Sequence, residues 1–143
     1  MPITNSIAAF GTLLKRGNGA TPEVFTAIAE VGDIAGPQLK TQFEDATNHG
    51  STNVFEESIP TTKSLGAITF PIGFIPSDAT HSYSAGLVGE WYNKTKHNYQ
   101  MVFPDSTTWT FACYVEQVSI KAPVKGQLGA DITMRITGSP VLA

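Results

Sequence analysis

The sequence predicts a mainly β protein, a small β-sandwich or barrel with one flanking α-helix and a long irregular arm. Three observations carry this. In "LGADITMRIT" (128–137), Leu128, Ala130, Ile132, Met134 and Ile136 alternate with Gly129, Asp131, Thr133, Arg135 and Thr137. A period of two puts the first set on a buried face and the second toward solvent or a neighbour, along a strand of roughly 33 Å at about 3.3 Å per residue. "MVFPDSTTWTFAC" (101–113) is two alternating runs joined at Pro104-Asp105-Ser106-Thr107, which is the chemistry of a hairpin turn. Against these stands one helical stripe, Tyr83, Leu87, Val88, Trp91 and Tyr92, at i, i+4, i+5, i+8 and i+9.

Near the N-terminus, "SIAAFGTLL" and "EVFTAIAEV" are weaker strand candidates, separated by the turn residues of "KRGNGATP". That turn lacks the Gly-Lys-Ser/Thr ending that sets a lysine against phosphate, so it reads as a plain turn. Residues 38–62, "QLKTQFEDATNHGSTNVFEESIPTT", hold to neither period for long. A structureless connection of more than about 12 to 15 residues inside a compact domain is uncommon, and is usually functional or disordered. Phe43, Val54, Phe55 and Ile59 are too many apolar anchors for a solvated linker and too few for a core of their own. Together with Glu44, Asp45, Glu56 and Glu57 they define a candidate assembly arm that orders by docking on another surface.

"SLGAITFPIGF" alternates next, with Ile68, Phe70, Ile72 and Phe74 in phase. Pro71 points the other way and cannot donate to a ladder, so this strand belongs at a sheet edge or a bend. The helix can be capped by Ser77 or Asp78. Gly86 and Gly89 each cost it about 1 kcal/mol relative to Ala, so it depends on packing against the sheet. In the hairpin, Tyr99, Met101 and Phe103 share a face, as do Trp109, Phe111, Cys113 and Val115; the alternation slips at Glu116-Gln117, the mark of a bulge.

A chain of 143 residues, 41% hydrophobic and 15% charged, suits a single domain over residues 1–143. At this size roughly 68 to 70% of the unfolded surface is buried, enough to fold without metal or disulfide. The net charge of −3 argues against a nucleic-acid binder, which needs Lys and Arg to displace counterions from phosphates. The charge is uneven: residues 23–57 hold Glu23, Glu30, Asp33, Glu44, Asp45, Glu56 and Glu57 against Lys40 alone, so that segment is −6 and the remainder +3. Cys113 is the single cysteine, which excludes an intramolecular disulfide and suits a reducing compartment. No run reaches the roughly 18 apolar residues of a membrane span, and the expectation is a soluble, cytosolic protein without one.

Chemistry-bearing constellations are missing. No serine sits in a Gly-x-Ser-x-Gly elbow, and His49, His81 and His97 lack the spacing of a metal site. No catalytic residue, cofactor or metal is expected. His81 reads as a surface histidine on the helix, Cys113 as a buried hydrophobe, and Trp91 and Trp109, in phase with apolar neighbours, as core. The sequon at Asn93-Lys94-Thr95 has no meaning without a secretory signal. The hairpin is then scaffold, aromatics inward and Thr108 and Thr110 outward, and its product is a surface and not a pocket.

Four stretches carry a resemblance: "FTAIAEVGDIAGP" (25–37), "LGAITFPIGFIPSDATH" (65–81), "MVFPDSTTWTFACYV" (101–115) and "APVKGQLGADITMRITGSPVL" (122–142). The chain resembles the major tail tube proteins of long, flexible-tailed bacteriophages. The resemblance implies a small β-sandwich or barrel with one flanking helix, assembled into six-membered rings that stack as a tube for DNA passage. It implies that the arm reaches adjacent subunits, and that the partners are copies of the chain itself, tape-measure and tail-terminus proteins, and DNA in transit without specific binding. The location it implies is the virion tail, assembled in the host cytoplasm. Two other classes stand beside it: a tube-fold component of a secretion machine or tail-terminus ring, and a monomeric ligand-binding β-sandwich. For a tube, the acidic arm segment can meet the positive remainder of the next subunit, and a lumen rich in Lys and Arg would stall DNA, so a neutral or negative wall is expected.

Overall fold

A computed structural model describes residues 6–50, 52 and 55–142. Among them, in chain order, are strands β1 (Leu13–Gly17), β2 (Phe25–Ala27), β3 (Lys40–Asp45), β4 (Ser58–Ser64) and β5 (Ala67–Gly73), helix α1 (Leu87–Asn93), and strands β6 (His97–Val102), β7 (Thr108–Lys121) and β8 (Gly129–Leu142). Six strands form one antiparallel sheet in the order β2-β1-β6-β7-β8-β5, while β3 and β4 pair separately as a two-stranded ribbon.

The predicted hairpin is the β6–β7 pair. Its register sets Met101 opposite Trp109, Tyr99 opposite Phe111 and His97 opposite Cys113, so the two alternating runs share a face. The turn closes through Phe103 N–H to Thr107 O at 2.9 Å, with Ser106 in a left-handed conformation at φ 74°. The bulge expected at Glu116-Gln117 is present, as a register shift between Val115 and Gln117. A second shift lies between Thr110 and Ala112, whose partners on β8 jump from Val141 to Thr137 across Gly138-Ser139-Pro140. In β8, Ala130, Ile132, Met134 and Ile136 are buried as the alternation requires, while Leu128 precedes the strand and is exposed.

β5 is an edge strand, with Pro71 exposed and Ile68, Phe70 and Ile72 in the core. The chain after β2 runs along that edge. Ala35 and Thr69 exchange backbone hydrogen bonds at 2.8 and 2.9 Å, Gly32 N–H donates to Pro71 O at 2.8 Å, and Val31 bridges Ile72. β2 ends at Ala27, so β2 at one edge and the bridge to β5 at the other are joined by a short link from 27 to 31. Four residues reach at most about 14 Å, so the two edges of the sheet are drawn together around the core, as in a small barrel.

The helix differs from its prediction. It is seven residues long, its N-cap is Gly86, and no side chain caps it. Asp78 instead holds a turn, accepting from Thr80 N–H at 2.8 Å and Thr80 Oγ1 at 2.5 Å. Of the predicted stripe only Leu87 is fully buried; Tyr83, Trp91 and Tyr92 are exposed, which overturns the reading of Trp91 as core. The physical reason lies in the glycines. A Cβ at Gly86 would collide with the backbone of residues 80–82, and one at Gly89 with the Tyr83 carbonyl, so the face without side chains is the one that packs. His81 corrects a second expectation. It is fully buried, with Nδ1 accepting from Ile75 N–H at 3.1 Å and Nε2 donating to Ala29 O at 2.8 Å, and its ring stacks on Phe74. It lies in the turns before α1, and these tuck under the chain that follows β2. Cys113 is buried as predicted, and Trp109 is half-buried, edge-to-face on Phe103.

Candidate assembly surfaces

Within the predicted arm, β3 and β4 pair as a ribbon, with Lys40 opposite Ser64, Phe43 opposite Pro60, Glu44 opposite Ile59 and Asp45 opposite Ser58. The missing periodicity has a cause: a bulge sets two residues of β4, Thr61 and Thr62, against the single Gln42 of β3, whose carbonyl accepts from Thr61 Oγ1 at 3.1 Å. Beyond the strands, Ala46 N–H donates to Glu57 O at 2.8 Å and Glu57 N–H to Thr47 Oγ1 at 2.8 Å. Thr47 Oγ1 and N–H both satisfy the Asp45 carboxylate, and these hydrogen bonds hold its pKa below the usual value.

The arm leaves its apolar side chains uncovered. Phe43 is 62% exposed, Phe55 71% and Ile59 52%; Glu44, Asp45, Glu56 and Glu57 are exposed beside them. Val54 lies outside the described residues. Phe43 pairs with Pro60, and its sequence neighbour Glu44 pairs with Ile59, so apolar groups project from both faces of the ribbon. A lone two-stranded ribbon is marginal in water at best, and this one has no sheet of its own to lie on.

A second surface surrounds α1. Tyr83 and Tyr92 meet edge-to-face at 5.2 Å between ring centroids, Trp91 is exposed, and Lys94 closes the helix in a left-handed conformation. The underside of the helix is anchored by a buried carboxylate. Glu90 accepts from Arg16 Nε at 2.9 Å, faces His97 Nε2 at 3.2 Å and accepts from the Tyr99 hydroxyl. Burial first, and the Glu90 charge second, push the Tyr99 phenol well above its usual pKa, which keeps it a neutral donor. Three side chains from two strands, Arg16 of β1 and His97 and Tyr99 of β6, thus converge on one acceptor of the helix. The sequence reading missed this because a glutamate in a helix next to two aromatics looks like a solvated charge.

A third feature is an apolar cleft of about 920 Å³ lined by the segment 7–12, the segment 31–36 and the β6–β7 turn, including Phe10, Ile34, Phe103 and Trp109. Among the described residues no cluster of His, Cys, Asp and Glu could hold a metal ion. Among the described residues no helix is long and apolar enough to cross a membrane.

The family profile for the lambda phage tail tube protein matches residues 11–143. The chain belongs to that family. This tail tube protein is therefore a structural subunit of a phage-type tail. A comparison with curated proteins finds no match. Among solved structures it is similar to a chain in the tail of an empty gene transfer agent particle, a helical refinement with C6 symmetry, at 15% identity over 96% of this chain and 99% of that one, with a TM-score of 0.78. A chain in the virion of a native gene transfer agent particle matches at 14% identity over 96% and 99%, with a TM-score of 0.76. A chain of an extracellular contractile injection system, from its sheath/tube terminator in the extended state, matches at 11% identity over 99% of both chains, with a TM-score of 0.68. These similarities place the barrel-like sheet, the short helix and the ribbon within the tail tube fold.

Proposed function

We propose that this tail tube protein assembles into hexameric rings that stack into a tube, that the β3–β4 arm docks on neighbouring subunits, and that the tube conducts DNA without binding it specifically. The observation that carries the reading is the ribbon, ordered yet with Phe43, Phe55 and Ile59 open to water. The six-fold symmetry of the gene transfer agent tail supports the ring size. A heterologous contact that closes makes a ring, and the two unlike faces of a ring stack without limit.

The sheet face opposite the core fits the expected wall of such a tube. It carries Gln100, Thr110 and Thr133, and two of its cations are paired: Arg135 Nη2 lies 3.1 Å from Glu116 Oε1, and Lys121 Nζ lies 2.6 Å from Asp131 Oδ2, while Lys15, opposite Gln100, makes no ion pair among the described residues. Paired charges leave little net attraction for phosphates, so passing DNA is not held. The role is structural and not catalytic; the further partners are tape-measure and tail-terminus proteins, and assembly takes place in the host cytoplasm. Membership in the phage family favours this over the tube of a secretion machine.

Replacing residues 44–57 by Asn-Gly tests the proposal, since Phe43 pairs with Pro60 and the inserted Asn-Gly together with Ser58 and Ile59 makes a four-residue hairpin loop between them. The expected result is a folded monomer by circular dichroism that makes no tubes under negative-stain electron microscopy. Tubes of normal appearance would refute the role of the arm, and loss of folding would show that it belongs to the core.

A further inference from the structure

We infer that the exposed aromatic and lysine patch at α1 is the receptor for the arm of a sister subunit. The inference rests on the stacking proposal above and names where the arm lands. The arm tip offers apolar side chains among four carboxylates, Glu44, Asp45, Glu56 and Glu57, and residues 42–62 include no lysine or arginine. Its receptor must therefore supply apolar area together with cations that are not already paired.

Two exposed apolar surfaces compete, and charge decides between them. The cleft is large enough, but its charged lining residues are Asp33 and Asp105, both exposed. An acidic tip entering it meets like charge, which disfavours the complex. The α1 surface has the opposite sign. Tyr83, Trp91 and Tyr92 stand exposed within the same short stretch as Lys94 and Lys96, and among the described residues neither lysine makes an ion pair. The helix's own carboxylate, Glu90, is buried and satisfied by Arg16, His97 and Tyr99, so it does not cancel them.

Tyrosine and tryptophan suit such a contact, since they give large rigid apolar area with a polar edge and are enriched among residues that dominate interface energy. Phe55 and Ile59 of the arm supply matching apolar groups, and Glu56 and Glu57 lie next to them in sequence, as Lys94 and Lys96 lie next to Tyr92. Both surfaces are open within one subunit, so the contact is made between copies.

The test uses the full chain. The double variant Lys94→Glu/Lys96→Glu should keep its circular dichroism spectrum while tube growth, followed by light scattering and negative-stain microscopy, slows by about tenfold or more, the scale of electrostatic steering. Adding Glu56→Lys/Glu57→Lys in the same chain should restore growth. As a second measurement, Phe55→Cys/Tyr92→Cys should form an oxidation ladder beyond the dimer on a denaturing gel, which neither single variant forms, since Cys113 is buried. Unchanged growth of the lysine variant, failure of the charge swap to restore it, or absence of the ladder in assembled tubes would overturn the inference. The outcomes separate it from its parent: if the unmodified protein stays monomeric under every condition, the stacking proposal falls as well, whereas tubes that ignore the charge reversal sink only the receptor assignment.

Discussion

Replacing Glu90 by glutamine removes one charge and almost no volume, and the geometry around it sets the expected cost. The side chain is 3% exposed and is the common acceptor for Arg16, His97 and Tyr99. Removing one partner of a buried ion pair typically costs about 3 to 5 kcal/mol, because the other charge is left uncompensated. Arg16 is 17% exposed and His97 19%, so both keep some contact with water, and the lower end applies. The expected loss is about 3 kcal/mol, which for a domain of this size lowers Tm by about 12 °C. Guanidinium unfolding followed by circular dichroism measures it. The arm-shortened monomer is the right background, because assembly binds only the native state and would mask the loss by mass action. A further variant, Arg16→Leu/Glu90→Leu, removes both charges and should be more stable than Glu90→Gln, since an apolar pair of similar size can replace a buried ion pair at little cost. A Glu90→Gln loss below about 1 kcal/mol, typical of a solvated pair, would refute the claim that this carboxylate fastens the helix to β1 and β6.

Gly89→Ala should destabilise by about 1 to 3 kcal/mol although alanine is the better helix former, because the new methyl meets the Tyr83 carbonyl; a stabilised variant in thermal melts would show that the helix can move away. Cys113 should resist alkylation in the native protein and react on unfolding, since burial, and after it the Glu90 charge, raises its thiol pKa; rapid labelling of folded protein by mass spectrometry would contradict this. Hydrogen bonds from Thr80, its side chain first, hold the Asp78 carboxyl below its usual 3.8. A depressed folded pKa stabilises the fold above about pH 4 and loses that contribution as pH falls through the lower folded value, so Asp78→Asn should flatten the acid limb of the stability profile. Parallel acid limbs in denaturant titrations at several pH values would argue against it.

What the sequence made legible, and what it hid, follows from which face of each element carries side chains. In β8 the contrast between Ile132 or Met134 and Thr133 or Arg135 is chemical, so a period of two reads directly as inside and outside. Pro71 marks its edge because it lacks a donor, and the neighbouring chain leaves that position alone, taking only its carbonyl. At α1 the same reasoning fails. The buried face is made of Gly86, Leu87, Gly89 and Glu90, two residues with no side chain and one with a charge, while the aromatics point out. Paired glycines one helical turn apart were the available signal, since they mark where two backbones approach closely. His81 was hidden likewise: nothing local shows that Ile75 N–H and the Ala29 carbonyl will stand on either side of its ring.

The arm illustrates a different limit. Its sequence announced that Phe43, Phe55 and Ile59 lacked partners, and the structure leaves them without cover, yet the ribbon is held by its own ladder and by the Asp45, Thr47 and Glu57 contacts. Order and docking are therefore separable here. A segment that folded only on contact would lose ordering entropy at each subunit addition. A ribbon already closed by backbone hydrogen bonds loses much less, so in the docking proposed above the apolar burial of its exposed side chains would go into the contact between subunits. In a polymer, where the same contact recurs with every subunit, that saving is repeated along the whole length.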